Sequence, residues 1–133
     1  MGLFNSIFKS TTEMNTPQEP KVSWIPLTAM NQLDQIKEIS NNETVLVFKH
    51  STRCGISRMV LKQFEKQFDP SLSNLKLFYL DLLNHRDVSN EIAETFQVLH
   101  QSPQLLVIQH GVVVAHASHD AITSIALNDY ADV

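Results

Sequence analysis

The stretch KHSTRCGIS, Lys49 to Ser57, holds the chain's sole cysteine, Cys54. A thiol does its chemistry as a thiolate, which attacks disulfides or binds soft metals. One cysteine excludes an intramolecular disulfide and leaves no CxxC pair for zinc. Cys54 falls between an apolar run and a segment of helical periodicity, which puts it at a helix N-terminus. Unpaired N–H groups and a partial positive charge there favour thiolate over thiol. Arg53 adds a fixed positive charge, and Lys49 and His50 lie close in sequence. Ser57 follows on the same helical face, where its hydroxyl can donate a hydrogen bond to the thiolate. A free cysteine is more often a small buried apolar residue. The serine, threonine and arginine around Cys54 do not read as core, so the residues favour a nucleophile.

The elements that must position it alternate. KVSWIPL reads as a short strand. Thr28 is placed to cap a helix with Met30, Leu33, Ile36 and Ile39 on one stripe, stopping near Asn41 and Asn42. ETVLVFKH is β-branched and aromatic, a buried strand. Beyond Cys54, Ile56, Met59, Val60, Gln63, Phe64 and Phe68 follow helical spacing, and Pro70 marks the stop. LKLFYLDL is a second buried strand. Asp87 or Ser89 opens a helix with Val88, Ile92, Ala93 and Phe96 inside. PQLLVIQHGVVVAHA reads as two strands joined at His110-Gly111, and HDAITSIALNDY as a closing helix. The order βαβαβαββα is that of an α/β fold, a mixed central sheet flanked by helices.

Composition sets the outer bounds. The 133 residues, 43% hydrophobic and 18% charged, suffice for one domain with one core. A net charge of -4 argues against broad nucleic-acid binding. No apolar run approaches the roughly 20 residues of a membrane span. A free thiol suits a reducing, cytoplasmic setting. Residues 1–20 read as a flexible tail and linker, with STTEMNTPQEP as the polar connector, and 21–133 as the domain. The start is too short and interrupted for a signal peptide. Gly2 and Ser6 match the loose, eukaryotic myristoylation pattern, and Leu3, Phe4, Ile7 and Phe8 would share a helical face. A loosely docked tail is the simpler reading of both.

A strand, then Cys-x-x-Ser opening a helix, then Pro103 about fifty residues later before another strand, resembles the thioredoxin-like superfamily. The resemblance implies a thioredoxin-like fold in which Pro103 is cis and lies, with Ser102, beside Cys54. Without it, Pro103 would be an ordinary strand-entry proline. Over about Trp24 to Leu127 the chain is similar to the YtxJ-like monothiol bacilliredoxins, on the strength of KHSTRCGIS, SPQLLVIQHG and HASHDAIT. Members usually read Thr-Cys-Pro-Ile-Ser, where this chain has Arg-Cys-Gly-Ile-Ser. Gly55 in place of that proline loosens the first helical turn. In HASHDAIT, Ser118 or Asp120 would cap the final helix. His116 and His119 read as structural, since no third metal ligand is evident. CGIS also resembles the Cys-Gly-Phe-Ser of monothiol glutaredoxins, which handle glutathione or an iron–sulfur cluster. Their Val-Pro pair is Ser102-Pro103 here, and their Gly-Gly-x-Asp stretch is HASHD.

The bacilliredoxin resemblance implies a monothiol thiol–disulfide oxidoreductase that removes bacillithiol from mixed disulfides on client proteins. Cys54 would be the nucleophile and Ser57 its catalytic neighbour. Arg53, Gly55, Ser102 and Pro103 would contact substrate. Bacillithiol would be a cosubstrate, with no bound cofactor or metal. Another low-molecular-weight thiol or protein thiol would have to release the adduct, because no second cysteine can. Neither nucleic acid nor membrane enters this reading. The competing class is a non-catalytic thioredoxin-like stress or binding module, which the unusual Gly55 permits.

Overall fold

The computed structural model describes residues 22–132. The expected tail and linker over 1–20, with Gly2, Ser6 and the apolar Leu3, Phe4, Ile7 and Phe8, lie outside the described residues. The elements are β1 (Trp24–Pro26), α1 (Gln32–Ile39), β2 (Thr44–His50), α2 (Gly55–Gln67), β3 (Leu75–Asp81), α3 (Arg86–Phe96), β4 (Gln104–Gln109) and β5 (Val112–Ser118). Two 3-10 turns follow, His119–Ser124 and Leu127–Tyr130. The strands form one sheet in the order β1-β3-β2-β4-β5. β1 and β2 run parallel to β3, whereas β4 is antiparallel to β2 and β5. The sheet is mixed, as the sequence pattern requires.

The central strand is buried along its whole length, which explains why it reads as continuous apolar sequence. Its side chains alternate between two cores. Val45 and Val47 face Leu33 and Ile36 of α1 and Val88, Ile92 and Phe96 of α3. Leu46 and Phe48 face Val60 and Phe64 of α2 and Ile122 of the first 3-10 turn. Helices therefore cover both faces. At the hairpin, His110 (φ 52°) and Gly111 (φ 77°) both take left-handed backbone, as a two-residue turn between antiparallel strands demands.

Several local expectations are corrected. The closing segment is two 3-10 turns rather than an α-helix. His119 enters it with φ 55°, and Ile125 returns to extended backbone between the turns. Thr123 Oγ1 donates to the Asp120 carbonyl at 2.9 Å, satisfying locally a group that a longer helix would pair. Ile122, fully buried, ties the segment down, and neither Ser118 nor Asp120 supplies a side-chain cap. Thr28 does not cap α1 either. The N-cap position is Asn31, with no side-chain cap, while the Gln32 Oε1 reaches back to accept the Thr28 and Ala29 N–H groups at 2.7 and 2.9 Å and braces the entering chain. α3 opens after His85 with no side-chain cap, so Asp87 sits in its first turn and Ser89 is buried. Met30 lies outside the α1 stripe and is exposed, because the helix begins two residues beyond it.

Candidate active site

β2 delivers the chain to the site, and a short loop, residues 51–53, leads to Cys54 at the N-cap of α2. Cys54 is half-buried, with extended backbone (φ -102°, ψ 121°). Its N–H donates to the Ser51 carbonyl at 3.2 Å, and its own carbonyl accepts the Arg58 N–H at 3.0 Å. These bonds fix Cys54 at the start of the helix. Arg58 also donates from Nη1 to the Thr52 carbonyl at 2.9 Å, bracing the loop.

Ser57 is fully buried one turn below. Its hydroxyl lies 2.7 Å from His50 Nδ1 and accepts the Ser51 N–H at 3.1 Å. Among the described residues no hydrogen bond joins Ser57 to the Cys54 sulfur, so in this arrangement the hydroxyl organises the loop under the thiol. His50 is itself buried, its ring tilted 43° to that of Tyr79 with centroids 5.6 Å apart. Burial lowers its pKa, Asp81 opposes that, Arg58 adds to it, and Glu65 and the Ser57 bond oppose it. Lys49, its neighbour, points to the other face of the sheet. It is fully buried, its Nζ has no hydrogen-bond partner among the described residues, and desolvation lowers its pKa to about 8. Both residues are near Cys54 in sequence, but the strand sends one behind α2 and the other toward α3.

Ser102-Pro103 is cis, as the resemblance implied. The pairing of Lys49 with Gln104 sets Pro103 at the end of β4 beside the end of β2 that leads to Cys54. The His119 N–H donates to the Pro103 carbonyl at 3.0 Å, tying the first 3-10 turn to this loop. Arg53 is on the opposite side. With Thr52 it lines a cavity of about 400 Å³ closed by Leu83, Asn84 and Arg86 of the β3–α3 connection. Gly55, the first residue of α2, is exposed, and a side chain there would have room, meeting only Arg58 at 3.7 Å. The structure therefore gathers Cys54, Gly55 and Ser57 at one helix start, with Arg53 on one flank and Ser102-Pro103 on the other.

Helical spacing alone does not say which apolar residues of α2 are buried. Ile56 and Met59, expected inside α2, are 55% and 65% exposed, because the buried face of the helix runs through Ser57, Val60 and Phe64. Together with Leu99, 80% exposed in the loop before Pro103, they leave apolar surface on the segments next to Cys54. A second cavity, about 380 Å³, lies between the C-terminal part of α2 and the 3-10 turns, lined by Phe64, Phe68, Leu72, Ile122 and Ile125 among others. It contains no nucleophile. Arg86 and Asn84, by contrast, were invisible to motif reading, because only the fold brings the β3–α3 connection against the Cys54 loop.

A sheet of this order with a cysteine at the helix start after the central strand and a cis-proline at the next antiparallel strand defines the thioredoxin-fold thiol oxidoreductases. Solved structures agree. One described by its thioredoxin fold and a proposed oxidoreductase role is 33% identical, with a TM-score of 0.67, covering 80% of this chain and 91% of its own. The Malassezia sympodialis thioredoxin, 15% identical with a TM-score of 0.68, covers 86% of this chain and 96% of its own. The Trypanosoma brucei brucei thioredoxin, 17% identical with a TM-score of 0.60, covers 80% and 85%. The latter two show the fold alone. Residues 25–127 match the family described as monothiol bacilliredoxin BrxC, and the chain belongs to that family. No helix among the described residues is long and apolar enough to cross a membrane.

Proposed function

We propose that this protein is a bacilliredoxin that lifts bacillithiol from mixed disulfides on client proteins. The observation that carries the reading is Cys54, the chain's sole cysteine, half-buried at the head of α2 inside the matched segment. The Cys54 thiolate attacks the bacillithiol sulfur of the mixed disulfide. A Cys54–bacillithiol disulfide forms, the client–bacillithiol disulfide breaks, and the client leaves as a thiolate that takes a proton from water. No electrons are gained or lost overall. A second thiol then attacks the adduct, carries bacillithiol away as a new disulfide and returns Cys54 as a thiolate. The client backbone runs beside Ser102 and Pro103 in the manner of an added strand. Exposed Ile56, Met59 and Leu99 offer it apolar contact. Bacillithiol is a cosubstrate here, and the reaction belongs to a reducing compartment such as the cytoplasm.

Intact mass after mixing the protein with a bacillithiolated client tests this, with a glutathionylated client run in parallel. The expected result is a bacillithiol-sized gain that Cys54→Ser loses while keeping its fold. Adduct from the glutathionylated client alone would move the assignment to glutathione chemistry. No adduct from either would leave a thioredoxin-like binding module.

A further inference from the structure

The strand order gives Cys54 two flanks of unlike chemistry. β4, with Ser102 and Pro103 at its start, lies on one side of β2, and β3, followed by the loop to α3, lies on the other. The β4 flank offers backbone and exposed apolar side chains. The β3 flank offers the cavity of about 400 Å³ lined by Thr52, Arg53, Leu83, Asn84 and Arg86. That volume falls within the range of small-molecule sites, roughly 300–1,000 Å³.

The cavity is cationic. Arg53 and Arg86 are its charged lining residues, and neither side chain makes a hydrogen bond or salt bridge to another described residue. α3 begins at Arg86, and no side chain caps it, so its first N–H groups add positive potential on the same side. Two carboxylates oppose it: Asp87 in that turn, and Asp81 at the end of β3, which accepts a hydrogen bond from the cavity-lining Asn84 at 2.7 Å. Lys49 lies on the sheet face that α3 covers, fully buried with its Nζ unpartnered among the described residues. Its charge and that of Arg86 both reach His100, where they add to desolvation in lowering the imidazole pKa. Arg53 and Arg86 thus set two guanidinium groups on the β3 flank of a chain whose net charge is -4.

Unpaired guanidinium groups in a concave site match carboxylates, which they hold through two parallel hydrogen bonds. A mixed disulfide between a protein and a small thiol has two unlike halves, and Cys54 must choose between two sulfurs. We infer that the Arg53–Arg86 cavity receives the carboxylate-bearing end of the low-molecular-weight thiol, while the client half lies on the Ser102–Pro103 flank. The inference rests on the reading given under Proposed function and adds what selects the attacked sulfur. With the small thiol anchored in the cavity, its sulfur faces Cys54 and the client sulfur is the leaving group. The bond formed is Cys54 to the small thiol, the bond broken is small thiol to client, and the electron pair departs on the client sulfur. Attack on the other sulfur would instead join Cys54 to the client.

The test uses the full chain, Arg86→Gln, and the double variant Arg53→Gln with Arg86→Gln. Cys54 is reacted with dithiobis(nitrobenzoate), which carries a carboxylate on each half, and with the uncharged dithiodipyridine. The ratio of the two rates is expected to fall by at least about fivefold in the double variant, as loss of charge-assisted contacts predicts. Arg86→Lys is expected to lie between Arg86→Gln and the wild type. An unchanged ratio overturns the inference. In a second arm a bacillithiolated client is supplied, and mass spectrometry reads which disulfide forms on Cys54. The double variant is expected to acquire bacillithiol more slowly and to shift toward the Cys54–client disulfide. If the double variant takes bacillithiol as fast as the wild type and in the same product ratio, the cavity has no such role although the bacilliredoxin reading stands. If the wild type takes none, that reading falls, and the reagent ratio alone decides the cavity.

Discussion

At the scale of single residues, a buried serine organises the loop that carries the cysteine. Ser57 stands where a resolving cysteine would sit in a Cys-x-x-Cys protein, so Cys54 has no second cysteine in the chain to pair with. Its hydroxyl instead joins His50 to the Ser51 N–H. Ser57→Ala leaves both partners without their bond under the active-site loop. Leaving a buried polar group unpaired typically costs about 1–3 kcal/mol. Urea unfolding is expected to show a loss of this order, and an unaltered midpoint would mean that the bonds contribute nothing net. The spacing puts Ser57 one turn from Cys54 and suggests a hydrogen bond to the thiol, which the folded protein does not make. It could not show that His50 reaches the hydroxyl first, because that contact spans a strand and a helix.

At the scale of elements, the start of α2 carries glycine where the resemblance to the bacilliredoxins implies proline. Gly55 occupies the first helical position, and its N–H donates no hydrogen bond among the described residues. Proline is well suited to such a position because the N–H it lacks is unused there. Cys54, with φ -102° and ψ 121°, already has the extended backbone required of a residue before proline. Gly55→Pro is therefore expected to stabilise the fold by about 0.4–1 kcal/mol through a less flexible unfolded chain. Calorimetry reads this as a higher Tm, and a lower Tm would show that the loop needs the glycine. The strands and helices themselves were largely legible. β2 and β3 announced themselves as β-branched and aromatic runs, and the hairpin by His110-Gly111. The helix caps were not legible. At α1 the N-cap position fell on Asn31, three residues beyond Thr28 and without a side-chain cap, and only the folded backbone shows where each first turn begins. The closing segment failed for a related reason. Its apolar spacing is helical, yet Ile122 alone reaches the deep core, and the chain breaks at Ile125.

At the scale of the whole molecule, Lys49 is an ionisable group that the entire sheet encloses. In the unfolded chain it holds its proton to about 10.5, and in the folded protein to about 8. Below the lower value both states are protonated and burial of the charge costs stability in full, about 3 kcal/mol at roughly 1.4 kcal/mol per pKa unit. Between the two values the unfolded state binds more protons, so this contribution to stability rises with pH. Lys49→Met keeps the volume and removes the charge. It is expected to be more stable than the wild type at neutral pH, and the gap is expected to close as pH climbs from about 8 to about 10.5. Denaturant titrations of both proteins across that window check it, and a gap independent of pH would contradict the account.

The sequence by itself determined the α/β alternation, the mixed sheet, Cys54 at a helix start, and the family, because these depend on local periodicity and on short motifs whose residues are neighbours in the chain. Only the tertiary structure decided the rest. It assigned Lys49 and His50 to opposite faces, turned Ile56 and Met59 outward, committed Ser57 to His50, and set Arg86 across a cavity from Arg53. Each of these depends on which side of a strand or helix meets another layer. That is fixed by packing between segments far apart in the chain, and no spacing within one segment encodes it.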